Sequence, residues 1–263
     1  MRLELGGWQR NVKALFVLVF VYFLLGALLF FFQDNIIYRP SAQDFERCPA
    51  LADAEHIEHQ GTRIYLKENG PRIAVIYHGN AGSACDREYL ASLVESSGYS
   101  YIVVEYTGYS NDGRTPTHEG IKENVRSVVQ FLAQKQFQEV VVLGESIGTG
   151  AASYHASIDA PSKLVLITPF ADLYDVAKSR FWFYPTSFLV DNAFDNQALL
   201  ENYVNEVLII HGDADKIIPL QSAQRLFDTL STPQKKFVLV DGAGHNSIFE
   251  FEETYAGIFE MLR

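Results

Sequence analysis

Six short runs rich in Val, Ile, Leu and Tyr punctuate the chain, at 72–77, 101–105, 140–143, 163–167, 207–210 and 237–240. They are apolar throughout and do not alternate with polar residues, the pattern of strands covered by helices on both faces and therefore parallel. The stretches between them, at 86–97, 117–134, 147–157, 220–230 and 247–262, repeat apolar residues at three-and-four spacing, which predicts helices. Pro219 is a natural helix start, because the N–H it lacks is unpaired in a first turn. Strand and helix in alternation predict an α/β protein with a doubly wound, mostly parallel sheet.

The rhythm breaks in two places. Ahead of the first strand, residues 14–32 form a run of 19 without a charge, and a helix of that length spans roughly 28 Å, close to the hydrocarbon thickness of a bilayer. Every face of it is apolar, unlike a helix packed in a core. It ends Phe-Phe-Phe-Gln-Asp without a small-residue cleavage site, so an uncleaved signal anchor is expected over 1–33 and a folded domain over 34–263. Arg2, Arg10 and Lys13 precede the run while Arg39 and Arg47 follow it, which favours a cytoplasmic N-terminus and a domain outside the cytoplasm, periplasmic or lumenal. Between the fourth and fifth strands, the aromatic stretch around Phe181-Trp182-Phe183-Tyr184-Pro185 and Phe188-Leu189-Val190 is too long for a simple connection. It predicts a helical cap over 170–205.

Composition narrows the function classes. A net charge of −11 argues against nucleic acid as a partner, since phosphate binding needs a basic surface. The histidines are scattered, with no HExxH or CxxC, so neither a metal nor another cofactor is expected. Cys48 and Cys85 make no disulfide framework, and one bridge between them is left open.

The chemistry lies at strand ends. Gly144-Glu145-Ser146-Ile147-Gly148 follows directly on the run 140–143 and precedes a helix, the context of a nucleophile elbow. A serine hydroxyl is a weak nucleophile and must project from a tight turn toward a base and an acyl carbon. Partners follow in the order acid, then His: His211-Gly212-Asp213-Ala214-Asp215 and Asp241-Gly242-Ala243-Gly244-His245, each just past a strand. Ser146 is therefore the expected nucleophile, His245 the base and Asp215 the acid, with Asp213 and Asp172 as alternative acids. The backbone N–H groups of Asn80, in Tyr77-His78-Gly79-Asn80-Ala81-Gly82, and of Ile147 are the expected oxyanion donors. His78 and His211 are expected to be buried structural residues, and Gly148-Thr149-Gly150 belongs to the elbow, not to a dinucleotide loop.

With DNIIYRP (34–40), HGNAG (78–82), EYTGYSNDG (105–113), GESIGTG (144–150), HGDADKIIP (211–219) and GAGHN (242–246), the chain resembles the α/β-hydrolase superfamily. The similarity points to its single-pass membrane-anchored branch, which includes lysophospholipases and protein depalmitoylases. It implies hydrolysis of an acyl ester or thioester, lipid-like in character, through an acyl-enzyme and without a cofactor. A peptidase or amidase using the same residues, or a binding scaffold on the same fold, are the alternatives. Relatives often continue the Tyr-x-Gly-Tyr segment with Gly-x-Ser-x-Gly, whereas Ser110-Asn111-Asp112-Gly113 stands here.

Overall fold

Residues 3–186, 190 and 194–263 are described by the computed structural model. Helix α1 (Leu3–Phe31) and the short α2 (Gln33–Ile37) lead into the domain. Within α1, Arg10–Phe31 is long and apolar enough to cross a membrane, and only 6% of it is buried, so it is not a core helix. It begins further toward the N-terminus than the uncharged run itself.

The domain is an eight-stranded sheet in the order β10-β9-β8-β7-β4-β6-β3-β2. Its parallel strands are β4 (Arg72–Tyr77), β6 (Ser100–Glu105), β7 (Glu139–Glu145), β8 (Lys163–Ile167), β9 (Glu206–Gly212) and β10 (Lys235–Val240). The expected runs all lie in these strands. The sequence reading missed β2 (Glu55–His59) and β3 (Thr62–Lys67), an antiparallel hairpin at the sheet edge. The reason is physical: β2 reads EHIEH, an edge strand with one face in water and almost nothing apolar to announce it.

Each face carries its own apolar layer. On one, α4 (His118–Ala133), α5 (Gly148–Ile158) and the helix Leu220–Thr229 set Val125, Ala152 and Leu226 against Val75, Val142 and Ile209. On the other, α3 (Glu88–Ser96) and the helix Glu252–Leu262 set Val94 and Ile258 against Ala74, Leu143 and Ile210. Full burial of such a side chain stabilises by about 1.5–3 kcal/mol, and the central strands are buried on both faces, which is why they tolerate no polar alternation. The chain passes from β4 to β6 on one side and then to β7 on the other, so loops leaving β4 and β7 diverge. A crevice opens there, at the carboxyl ends of the strands.

The stretch expected to form a cap contains α6 (Leu173–Arg180) and the helix Asn196–Leu199, with a backbone bridge between Asp172 and Asp195. Phe188 and Leu189 lie outside the described residues. Cys48 and Cys85 form a disulfide, a pairing the sequence left open. Cys85 sits in a short 3-10 helix, Ala84–Arg87, immediately after the β4 loop.

Two stability predictions follow from this packing. Removing the bridge, which closes 37 residues, with Cys48→Ser and Cys85→Ser lowers unfolding free energy by about 4 kcal/mol, read as a lower urea midpoint in detergent. His155 is fully buried, its Nδ1 2.9 Å from the Tyr77 hydroxyl, and burial pushes its pKa down from 6.5 to about 3. The unfolded ring binds a proton first, so stability is full above pH 6.5 and falls as pH drops toward about 3. The slope is up to ~1.4 kcal/mol per pH unit. His155→Asn has a flatter urea midpoint against pH over that window than the wild type.

Candidate active site

Ser146 stands between β7 and α5 at φ 53°, in the left-handed region a non-glycine residue rarely occupies. Its N–H donates to Ile167 O at 2.9 Å, and its carbonyl accepts from Thr149 N and Thr149 Oγ1 at 3.0 and 2.6 Å. The turn is this sharp because α5 starts almost on top of β4. A Cβ at Gly148 would sit 2.3 Å from Tyr77 O, and one at Gly144 would sit 2.5 Å from Gly148 O. Glycine at both positions is what lets the helix begin there.

The acid and base loops are stitched together in the same way. A Cβ at Gly212 would lie 2.1 Å from Ala243 O, so the end of β9 and the loop after β10 approach closely there. Ala214 N donates to Ala243 O at 3.1 Å, and Gly242 N donates to Asp213 Oδ1 at 2.7 Å. Asp213 is thus occupied in joining the loops, and Asp172 caps α6 by accepting from Tyr174 N at 2.7 Å. Of the carboxylates the sequence offered, Asp215 is the one brought to the histidine.

The structure brings Ser146, His245 and Asp215 into one line of contacts. Ser146 Oγ is 2.8 Å from His245 Nε2, and His245 Nδ1 is 2.7 Å from Asp215 Oδ2. Asp215 Oδ1 accepts from the N–H groups of Ile217 and Ile218 at 2.8 and 2.9 Å. Burial pushes the Asp215 carboxyl up, but the hydrogen bond and charge of His245 and these two N–H donors outweigh it, so its pKa lies below the usual carboxylate value. His211, fully buried, has Nε2 3.1 Å from Ile218 O, and burial keeps its pKa down in spite of nearby Asp215. It is a neutral structural ring.

Asn80 and Ile147 both line the cavity at Ser146. Ile147 opens α5, where the first N–H groups of a helix have no partner within it. The loop 78–82 is braced from several sides. Tyr106 and Tyr109 donate from their hydroxyls to His78 O and Asn80 O, at 2.9 and 3.0 Å. Arg39 N donates to Asn80 Oδ1 at 2.8 Å, where β1 (Arg39–Pro40) pairs with β5 (Ala81–Gly82). His78 is fully buried with Nε2 3.3 Å from Glu105 Oε1. Tyr109 and Arg39 lie in motifs the sequence had singled out, yet their bracing role had no signal in the chain.

Arg87 and Glu145 were missed altogether. The guanidinium donates to both carboxylate oxygens, Nε at 2.7 Å and Nη2 at 3.1 Å, and also to Ala81 O at 3.1 Å. The pair is largely buried, at 9% and 15% side-chain exposure, and clamps the residue before Ser146 to the β4 loop. The cue was Glu145 inside the elbow, a charge next to a buried turn. The cavity itself, about 250 Å³, is walled by Phe170, Leu173 and Ile218, by the cap and, unexpectedly, by Leu29, Ile36 and Ile37 of the N-terminal helices.

A parallel sheet, a strained serine elbow after the central strand and an acid and a histidine from later strand ends define the class: the chain has the α/β-hydrolase fold. The esterase Pf2001 of Pyrococcus furiosus superposes on it with a TM-score of 0.70 at 16% identity, covering 86% of this chain and 97% of that one. No family model matches. In sequence the chain is 27% identical over 254 residues to the uncharacterized protein Rv2307c of Mycobacterium tuberculosis, covering 90% of each. It is 25% identical over 177 residues to the lysophosphatidylserine lipase ABHD12 of Danio rerio, covering 59% of this chain and 46% of the relative.

Arg87→Met takes away the charge partner of the largely buried Glu145 and leaves it only the Tyr89 hydroxyl at 3.4 Å, which costs about 3–5 kcal/mol. The expected readout is a lower urea midpoint, with Arg87→Met, Glu145→Met recovering part of the loss.

Proposed function

We propose that this chain is a membrane-anchored serine hydrolase that cleaves lipid-like acyl esters or thioesters through an acyl-enzyme. Ser146 is the nucleophile, His245 the general base and Asp215 the acid that orients it. The reading is carried by one observation: the contacts of 2.8 Å from Ser146 Oγ to His245 Nε2 and 2.7 Å from His245 Nδ1 to Asp215 Oδ2.

In this reading His245 Nε2 takes the Ser146 proton as Oγ attacks the acyl carbon. The electron pair of the C=O bond moves to oxygen, which the Asn80 and Ile147 N–H groups stabilise. Asp215, kept ionised by the low pKa described above, stabilises the imidazolium. Collapse expels the alcohol or thiol with the proton from His245, leaving the acyl group on Ser146. Water, deprotonated by His245, then attacks the acyl carbon; the bond to Ser146 Oγ breaks, His245 returns the proton to Oγ, and the acid is released.

An ester or thioester is favoured over a peptide because the lining of the cavity at Ser146 is mainly aliphatic and aromatic, with Gln33, Asn80, Arg180 and Thr186 as its polar side chains beside Ser146. The names of the esterase and lipase relatives support the same choice. A scaffold without catalysis would have no use for a strained serine at φ 53° facing a histidine. The organisation proposed is an anchor over 1–33, a hydrolase domain over 34–263 and a cap over 170–205. The Cys48–Cys85 disulfide supports a domain outside the cytoplasm, because such bridges persist in oxidising compartments.

The test is fluorophosphonate labelling of the full chain in detergent, alongside turnover of acyl ester and thioester substrates. Wild type is labelled and Ser146→Ala is not; label persisting in that variant rejects the nucleophile. Asp215→Asn lowers kcat by about 10⁴-fold, as expected when the histidine tautomer is lost.

A further inference from the structure

Tyr22 lies in the middle of the apolar helix, ten residues before Phe32 and so roughly 15 Å along the axis from its domain end. Tyrosines in membrane helices gather at the interfaces, because a hydroxyl in hydrocarbon has no water to bond. This one has partners in the cap. Its hydroxyl donates to Phe183 O at 3.1 Å, the Tyr184 hydroxyl donates back to Tyr22 O at 2.9 Å, and the two rings stack at 4.6 Å.

The cap therefore runs down the side of α1 to mid-span. Non-helical backbone at that depth needs its polar groups satisfied by protein, and the tyrosine pair does this for Phe183. Trp182 and Phe183 remain 78% and 51% exposed, as do the apolar faces of α1 around them. These are surfaces that hydrocarbon covers without cost and water does not.

Two separate cavities lie where the N-terminal helices meet this stretch of chain. A cavity of about 360 Å³ lies between Phe23, Gly26 and Phe30 of α1 and Tyr184 and Pro185 of the cap. Further along α1, Leu29 and then Ile36 of α2 face Val176 and Phe181 of the cap across the cavity that ends at Ser146. That cavity, about 250 Å³, exceeds the roughly 150 Å³ that holds one benzene but falls below the roughly 300 Å³ at the low end of ligand pockets. By volume it takes part of one acyl chain and has no room for two.

We propose that the seam between α1 and the cap is a lateral portal by which a single acyl chain enters from the bilayer leaflet. The substrate is then a membrane-resident, single-chain lipid ester, and the anchor helix is part of the substrate site. The substrate class rests on the hydrolase reading above. The portal does not, and is tested apart from it.

Trp8 and Trp182 are the two tryptophans, so Trp8→Phe leaves Trp182 as the sole probe. The full chain carrying this change is reconstituted in phosphatidylcholine vesicles with or without lipid brominated at mid-chain. Trp182 emission is blue-shifted and loses most of its intensity to the brominated lipid; red-shifted, unquenched emission overturns the portal. In parallel, Leu29→Trp narrows the anchor side of the cavity. It lowers kcat/KM for oleoyl lysophosphatidylcholine relative to that for p-nitrophenyl acetate by about tenfold or more, the scale of a few lost apolar contacts. An unchanged ratio overturns the anchor's place in the site. Wild type that cleaves neither substrate overturns the hydrolase reading, and Trp182 quenching still decides the portal.

Discussion

The site depends on how closely the start of α5 approaches the end of β4. Gly148 rests against Tyr77 O and His78 O, where any Cβ would lie at 2.3 and 2.5 Å. This contact forces the left-handed turn at Ser146, which costs on the order of 1–3 kcal/mol in a non-glycine residue. Two apolar layers, one on each face of the sheet, hold β4, β7 and α5 firmly enough to sustain it. The strain is local and the packing that supports it is spread across the whole sheet.

Electrostatics completes the arrangement at the next two strand ends. Asp215 is removed from water, which opposes its charge, yet it accepts from Ile217 N, Ile218 N and His245 Nδ1. A buried carboxylate with that many donors stays ionised and keeps the imidazole oriented. On the opposite side, the Arg87–Glu145 pair and the hydroxyls of Tyr106 and Tyr109 hold the β4 loop against the elbow. Ser146 is thus fixed from both flanks.

The N-terminal segment does more than lead into the domain. Arg39 bonds Asn80, α2 walls the cavity at Ser146, and α1 meets the cap at Tyr22. The N-terminal helices, the helix Leu173–Arg180 and Asn80 thus line one cavity together with Ser146.

The parallel strands, their helices and the Ser146, Asp215 and His245 positions were legible in the chain, because strands buried on both faces read as unbroken apolar runs and reactive residues follow them directly. The hairpin β2–β3 was not, since an edge strand wet on one face gives a weak pattern. Nor were Arg87 and Glu145, Tyr109 above Asn80, the Cys48–Cys85 bridge or the anchor's place in the cavity wall. By itself the sequence determined what is written in local periodicity and in residues adjacent to a strand end: the layered fold, the apolar helix and the elbow. Only the tertiary structure decided which carboxylate reaches the histidine and which distant side chains close around the serine. Those contacts join residues far apart in the chain, and their geometry comes from the packing of the sheet and not from any neighbour in sequence.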